Sequence, residues 1–277
     1  MSGFYHSCHV RARHTRFTIM ASLLLLFRIR IRRVLKVNIM KSLKLLAIIV
    51  TVALSAGTSQ AAENPGYEFD PGRSQGGIGK FYMGREISGV MGHQAAGWLE
   101  REQRTHEEMP DEVVANMGLQ PDHVVADIGA GTGYFTFRMA PLVPQGKVLA
   151  TDIQPEMLAL LERRKAELGI DNVEPVLGRI DDPGLPENSV DVVLLVDAYH
   201  EFSHPFEMMD GINDALKPGG RVILIEYRAE DDSVPIRPLH KMSEEQVVRE
   251  MSVFDLHWDD TLDFLPWQHM MIFSKPE

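Results

Sequence analysis

The sequence predicts an α/β domain in which helices cover both faces of a mostly parallel sheet. Three observations carry this. From residue 121 onward, short β-prone runs alternate with helical stretches. Two of the runs, Val190–Val196 and residues 221–227, are almost continuously apolar, as strands buried on both faces must be. A third, Val124–Ile128, passes straight into a glycine-rich turn and then a helix, the setting of a nucleotide-binding loop.

The elements follow in order. Residues 62–80 are polar and rich in Gly and Pro, and read as a loose leader. Residues 81–119 read as mostly helical, with Trp98-Leu99 and Val113-Val114 among the apolar positions. Within it, residues 81–98 are expected to fold over the site as a lid and to offer Tyr82, Arg85 and His93 to a ligand. Gly118 suits a helix end, and Pro121-Asp122 a turn. Strands are then expected at Val124–Ile128, 147–151, Val173–Leu177, Val190–Val196 and 221–227. Helices are expected at 134–142, Pro155–Leu168 and 205–216, where Pro155 suits a first turn and Gly169 a helix end. A helix at Glu244–Met251 and extended segments near 254–262 and 269–274 complete the chain.

The first sixty residues differ in kind from the rest. Residues 1–61 hold ten of the 28 Lys and Arg residues and no Asp or Glu. That leaves 18 basic against 39 acidic residues in the body, a balance near −21, against −11 for the whole chain. A phosphate-tracking surface needs clustered cations, so nucleic acid is not expected as a partner. Residues 40–61 carry Lys41 and Lys44, a short apolar run and Ser59-Gln60-Ala61, the layout of a cleavable signal peptide. The run is about a dozen residues, too short to span a bilayer core of about 30 Å. Residues 1–39 then read as an upstream extension from a misplaced start. The expected location is periplasmic or secreted, without stable membrane insertion after cleavage; the alternative is a tether through an uncleaved segment. The single cysteine, Cys8, lies in this region, leaving the body without a disulfide or a thiol nucleophile.

The chemistry-bearing motifs sit at strand ends. Asp127-Ile-Gly129-Ala-Gly131-Thr-Gly133 forms the loop, with GxGxG spacing in place of the GxGxxG of dinucleotide binders. Asp152 ends the second strand, where a carboxylate can accept both hydroxyls of a ribose. Gly178-Arg-Ile-Asp181 follows the third strand, and Asp197-Ala-Tyr199-His200-Glu201 the fourth. Lys217-Pro-Gly-Gly220 is a tight turn into the fifth.

Together, DIGAGTG, TDIQPEM, GRIDD, VDAYHEF and LKPGGR resemble the class I S-adenosylmethionine-dependent methyltransferases, particularly the group containing the ubiquinone/menaquinone C-methyltransferases. The likeness covers residues 122–274. It implies a Rossmann-like, seven-stranded, mostly parallel sheet over residues 121–277, helices on both faces, and an N-terminal helical lid within residues 62–120. It implies S-adenosyl-L-methionine as cofactor and a small-molecule methyl acceptor. It assigns the cofactor to Gly129, Gly131, Gly133, Asp152 and Asp181, with Asp127, Ile153 and Asp197 beside them. VDAYHEF and the tail EYRAEDDSVPIRPLHKM depart from the quinone enzymes' pattern, so the acceptor is left open. A non-catalytic S-adenosylmethionine-binding protein of the same fold is the alternative.

Displacement at a sulfonium needs alignment more than acid–base help, and a base only when the acceptor must lose a proton. His200 is the expected catalytic base, followed by Glu201, Tyr199 and Glu226. Each could equally be a packed side chain. His93, His200 and His240 show no ligand spacing, so no metal site is expected.

Overall fold

The computed structural model describes residues 62–277. The upstream extension expected at 1–39 and the signal peptide expected at 40–61 fall outside the described residues. No described helix is long and apolar enough to cross a membrane.

The leader is not loose, and the segment after it does not begin as a helix. Residues 67–88 form an antiparallel meander of β1 (Tyr67–Phe69), β2 (Gly77–Tyr82) and β3 (Arg85–Ser88). Gly76 leads into β2 and Gly84 turns the chain from β2 to β3, both with positive φ, and Gly79 takes positive φ within β2 itself. The meander is tied to the rest of the domain by polar contacts. Lys80 Nζ donates to the Ser203 carbonyl at 2.6 Å, and Tyr67 bonds Glu207. Only after residue 92 does the expected helical character appear, in three short helices, α1 (Ala96–Leu99), α2 (Arg104–Glu108) and α3 (Pro110–Asn116).

The Rossmann-like sheet follows as expected. Its strands are β4 (Val124–Ile128), β5 (Lys147–Asp152), β6 (Val173–Leu177), β7 (Val190–Val196) and β8 (Leu216–Arg228), joined through α4 (Thr136–Met139), α5 (Pro155–Leu168) and α6 (Pro205–Ala215). The short β9 (Lys241–Met242) and α7 (Glu244–Met251) precede the closing hairpin of β10 (His257–Leu262) and β11 (Gln268–Ser274). The order across the sheet is β10-β11-β8-β7-β4-β5-β6, with β9 paired to β8 as an eighth, two-residue strand. β4 to β8 run parallel, and β11 and β10 pair antiparallel at one side.

Strand alternation divides the core into two layers. Val125, Val148, Val192 and Ile223 pack with Val113 of α3, Phe137 of α4 and Leu161 of α5. Ala126, Leu149, Val193 and Leu224 pack with Met209 and Ile212 of α6, Val247 of α7, and Tyr82 and Ile87 of the meander. The meander therefore occupies a place on one face of the sheet, beside helices. At about 25 cal/mol per Å² of buried apolar surface, each fully buried aliphatic chain contributes roughly 1.5–3 kcal/mol.

Candidate functional site

β4 is the central strand from which the chain leaves in both directions, to β5 and β6 on one side and to β7 and β8 on the other. Ligands of open α/β sheets bind at such a switch point, beyond the carboxyl ends of the strands. A cavity of about 550 Å³ opens there, walled by the turns after β4, β5 and β7 and roofed by residues 90–108. That size suits a nucleoside-sized ligand.

The glycine loop forms one wall. Gly129 and Ala130 donate their amides to the Thr151 carbonyl at 2.8 and 3.0 Å, which turns the chain sharply off β4. Gly131 has φ +55°, and a Cβ there would lie 2.7 Å from Leu99 Cδ1, so a side chain would close the space between loop and roof. Gly133 stands behind the loop, where a Cβ would strike Phe137 at 2.5 Å; it lets α4 pack close to the loop.

Asp152, at the end of β5, lines the cavity, as does Ile153. Its Oδ2 accepts the Gly131 amide at 3.0 Å and its Oδ1 the Gln154 amide at 2.8 Å. Burial raises its pKa above the usual carboxylate range, while those amides pull it down. Asp127 also lines the cavity and accepts the Thr136 hydroxyl at 2.5 Å, joining β4 to α4. Burial pushes Asp127 up to about 6, against the pull of Thr136 and Arg104. Asp197 sits just past β7 with φ +48°, a strained conformation for a non-glycine residue. Gln268 donates to its Oδ2 at 2.8 Å, but its buried Oδ1 has no partner. Burial and the neighbouring carboxylates of Glu108 and Glu226 hold Asp197 well above the usual range.

Asp181 is placed differently from the expectation. It does not line the cavity; its carboxylate pairs with Arg179 at 3.1 Å on the outer side, and Arg179 and Ile180 line the cavity instead. The β6 strand ends before Gly178, and the turn that follows sets Arg179 and Ile180, both more than half exposed, at the cavity rim. Tyr82, Arg85 and His93 likewise do not line the cavity. Tyr82 is fully buried in the core, Arg85 is clamped to Glu250, and His93 stands near Glu156 outside the cavity.

The roof adds residues the sequence did not single out. Arg104 forms an ion pair with Glu108 at 2.6 Å and lies 4.1 Å over the Tyr134 ring. Arg101 reaches the same Glu108 at 2.8 Å, and Tyr227 donates its hydroxyl to it at 3.1 Å. All of these residues line the cavity. Arg104 and Glu108 are four residues apart on a short polar helix, a pattern shared with solvated helix faces, so only tertiary structure reveals them.

The opposite edge holds His200, which is 2% exposed. Its Nδ1 lies 2.6 Å from Glu226 Oε2, and its backbone amide donates to Glu226 Oε1 at 3.2 Å. A carboxylate can only accept, so Nδ1 carries the proton and Nε2 presents a lone pair. That Nε2 lies 3.0 Å from Nδ1 of His240, contributed by the turn before β9. Burial, together with the adjacent His200, pushes His240 down to about 4, so its ring is neutral at physiological pH. Glu201, next in the chain, lines the same edge, and burial raises its pKa. The sequence marked His200, Glu201 and Glu226. It left His240 among scattered histidines, because forty residues separate it from His200.

A family model described as a methyltransferase domain matches residues 119–265, just over half of the 277-residue chain. The chain belongs to that family. It is 32% identical over 112 residues to the ubiquinone/menaquinone biosynthesis C-methyltransferase UbiE of Ectopseudomonas mendocina, covering 40% of this chain and 44% of that one. It is 26% identical over 158 residues to the uncharacterized methyltransferase YcgJ of Bacillus subtilis, covering 56% and 62%. The chain thus spans about half the length of the curated relatives it matches. Among solved structures, a SAM-dependent methyltransferase from Aquifex aeolicus superposes with a TM-score of 0.63 at 22% identity, over 67% of this chain and 99% of that one. The 4+2 cyclase SpnF superposes with a TM-score of 0.52 at 16% identity, over 61% and 80%. These two likenesses concern the fold alone.

The cofactor of this family and fold is S-adenosyl-L-methionine. The residues present fit it. A Cβ at Gly131 would press on Leu99 across the space between loop and roof, Asp152 ends β5 at the cavity wall, and Asp197 Oδ1 is a buried acceptor with no partner.

Proposed function

We propose that this domain transfers the methyl group of S-adenosylmethionine to a small-molecule acceptor bound against the His200–Glu201–His240 edge. One observation carries the reading: a single cavity of about 550 Å³ is lined both by the glycine-loop and acidic residues and by this second polar edge. Cofactor and acceptor can therefore share one enclosed space.

Each residue then has a task. Asp152 would hold the ribose hydroxyls, and Arg179 and Ile180 would flank the base. Arg104 would meet the carboxylate of the amino-acid tail, and Asp197 its ammonium. When bound, the cofactor supplies an electrophilic methyl group on a sulfonium. The roof residues Trp98 and Leu99 keep water from it. His200 Nε2 takes the acceptor's proton, exchanging its contact with His240 for one with the acceptor, while Glu226 fixes the ring and stabilises the cation that forms.

The test is transfer of labelled methyl from S-adenosylmethionine into a small-molecule extract, run beside calorimetry of cofactor binding. His200→Ala is expected to keep cofactor affinity and lose about 100-fold or more in transfer. Unchanged transfer by His200→Ala removes the base assignment. A second reading, cofactor binding without methyl transfer, has one structural argument: the same fold carries a protein named for cyclisation. Tight binding with no labelled product from any extract favours it.

We also infer, from residues 40–61, that the mature domain works outside the cytoplasm. Mass spectrometry of its N-terminus is expected to show cleavage after Ala61.

A further inference from the structure

We propose that His200, His240 and Glu201 bind a first-row divalent transition-metal ion of the zinc class at the cavity edge. His200 and Glu201 are neighbours on the short turn Tyr199–Glu201 after β7, and His240 ends the turn Pro238–His240 before β9. One ligand atom from each lies within 4.8 Å of the other two. His200 Nε2 and His240 Nδ1 are 3.0 Å apart, and Glu201 Oε1 lies 3.9 and 3.7 Å from them. Bonds of about 2.0–2.2 Å to one ion place neighbouring ligands roughly 3.0–3.5 Å apart. The nitrogens are already so spaced, and the carboxylate needs to close by only about half an ångström.

Independent features of the surroundings favour an ion there. Glu226 holds the proton on His200 Nδ1 and turns the Nε2 lone pair toward His240 Nδ1, the carboxylate–histidine arrangement that orients metal-ligating imidazoles; an ion would take the place of the proton now bridging the two rings. Glu201 Oε2 accepts the Met91 amide at 3.0 Å, which aims the carboxylate while Oε1 stays beyond hydrogen-bonding distance of both rings. Ser88 Oγ stands 3.4 Å from His240 Nδ1. The charged groups acting on the cluster are Glu226, Asp152, Arg237 and Arg85, which donates to the His200 carbonyl at 3.2 Å and is paired with Glu250; with Glu201, four carboxylates face two guanidiniums. A divalent cation offsets that excess.

The donor set selects the class of ion. Two imidazoles and a carboxylate suit zinc and its first-row neighbours, whereas magnesium and calcium take oxygen shells. Three protein ligands leave coordination positions open, and all three residues line the cavity, so water or an acceptor oxygen completes the shell. The consequence rests on the proposed function: an ion here lowers the proton affinity of a bound acceptor oxygen, and His200 then serves as a ligand in place of a base. The binding itself does not depend on methyl transfer.

The test uses the full chain, purified without a histidine tag and stripped with a chelator. Zinc is titrated against a chromophoric competitor, and cobalt(II) is followed by its visible d–d bands. One equivalent of zinc is expected at micromolar affinity or tighter, with cobalt bands of a four- or five-coordinate nitrogen–oxygen site. His240→Ala and Glu201→Gln are each expected to weaken zinc binding by at least tenfold, and Glu226→Gln by about tenfold. His269→Ala, in the separate cluster with Glu230, is expected to change nothing. Wild-type affinity retained in both His240→Ala and Glu201→Gln overturns the site, as does a six-coordinate aqua-like cobalt spectrum. Should either variant fail to fold, the wild-type stoichiometry and cobalt spectrum decide alone. Calorimetry with S-adenosylhomocysteine on the same samples separates the readings: cofactor binding without zinc removes the metal site only, and zinc binding without cofactor removes the cofactor reading only.

Discussion

The carboxylate of Asp152 accepts the amide of Gly131 at 3.0 Å, so the end of β5 braces the turn that leaves β4. One side chain thereby holds the shape of the glycine loop and faces the space where a ribose would lie. Asp152→Ala is expected to weaken S-adenosylmethionine and S-adenosylhomocysteine binding alike, by about 10- to 100-fold, the worth of one or two charge-assisted hydrogen bonds. Asp181→Ala is expected to stay within about threefold of wild type, as a surface change away from the cavity should. Calorimetry on the two variants checks both, and a larger loss for Asp181→Ala would return a cofactor contact to that residue.

Asp197 carries a buried oxygen without a partner in the cavity lining, and burial beside Glu108 and Glu226 favours its protonated form. A cationic tail placed there favours the ionised form. Cofactor binding at neutral pH is therefore expected to release protons, seen as a dependence of the calorimetric heat on the ionisation enthalpy of the buffer. The release should shrink as pH rises, and Asp197→Asn should remove most of it. Heats that do not vary with buffer in the wild type rule out this contact.

The parts of the fold that could be read from the sequence share one physical property: their residues answer to local rules. Val190–Val196 is apolar throughout because both its faces are covered, and Pro155 and Gly169 bound a helix because one presets φ and the other accepts φ +64°. The meander at 67–88 broke those rules. Its Gly and Pro content imitates a coil, and its strands are specified by contacts far along the chain, such as Lys80 with Ser203 and Arg85 with Glu250. The site divided in the same way. Asp152 and His200 stand at strand ends, where the fold always places ligand-facing groups, while His240 and Arg104 reach the cavity only through tertiary packing.

Arg85 joins the meander to the last helix. Its Nε and Nη2 bond both oxygens of Glu250 at 2.7 and 2.8 Å, and Tyr199 donates to the same carboxylate at 2.8 Å. The Glu250 side chain is fully buried. Arg85→Met leaves that charge with only neutral partners, so a loss of about 3–5 kcal/mol is expected in denaturant unfolding. The double change Arg85→Met, Glu250→Leu is expected to lose much less than the two single changes added together. Strict additivity would show that the pair contributes nothing beyond its separate parts.

Asp127 links stability to pH. Its carboxyl titrates at about 6 in the folded protein, against an ordinary 3.8, because burial disfavours the charged form. The folded state therefore binds this proton more tightly than the unfolded chain does. The resulting stabilisation is fully present below pH 3.8 and is lost as pH rises through about 6. The difference corresponds to about 3 kcal/mol. Asp127→Asn keeps an acceptor for Thr136 and never ionises, so its stability should gain on the wild type by roughly that amount between pH 4 and pH 7. Denaturant unfolding at the two pH values measures it, and parallel curves for the two proteins would refute it. The functional link lies in the same charge. Above pH 6 the buried carboxylate is held ionised at a cost, in a cavity wall that faces a cationic ligand. S-adenosylmethionine should thus raise the melting temperature of the wild type more at pH 7 than at pH 5, and this difference should be smaller in Asp127→Asn.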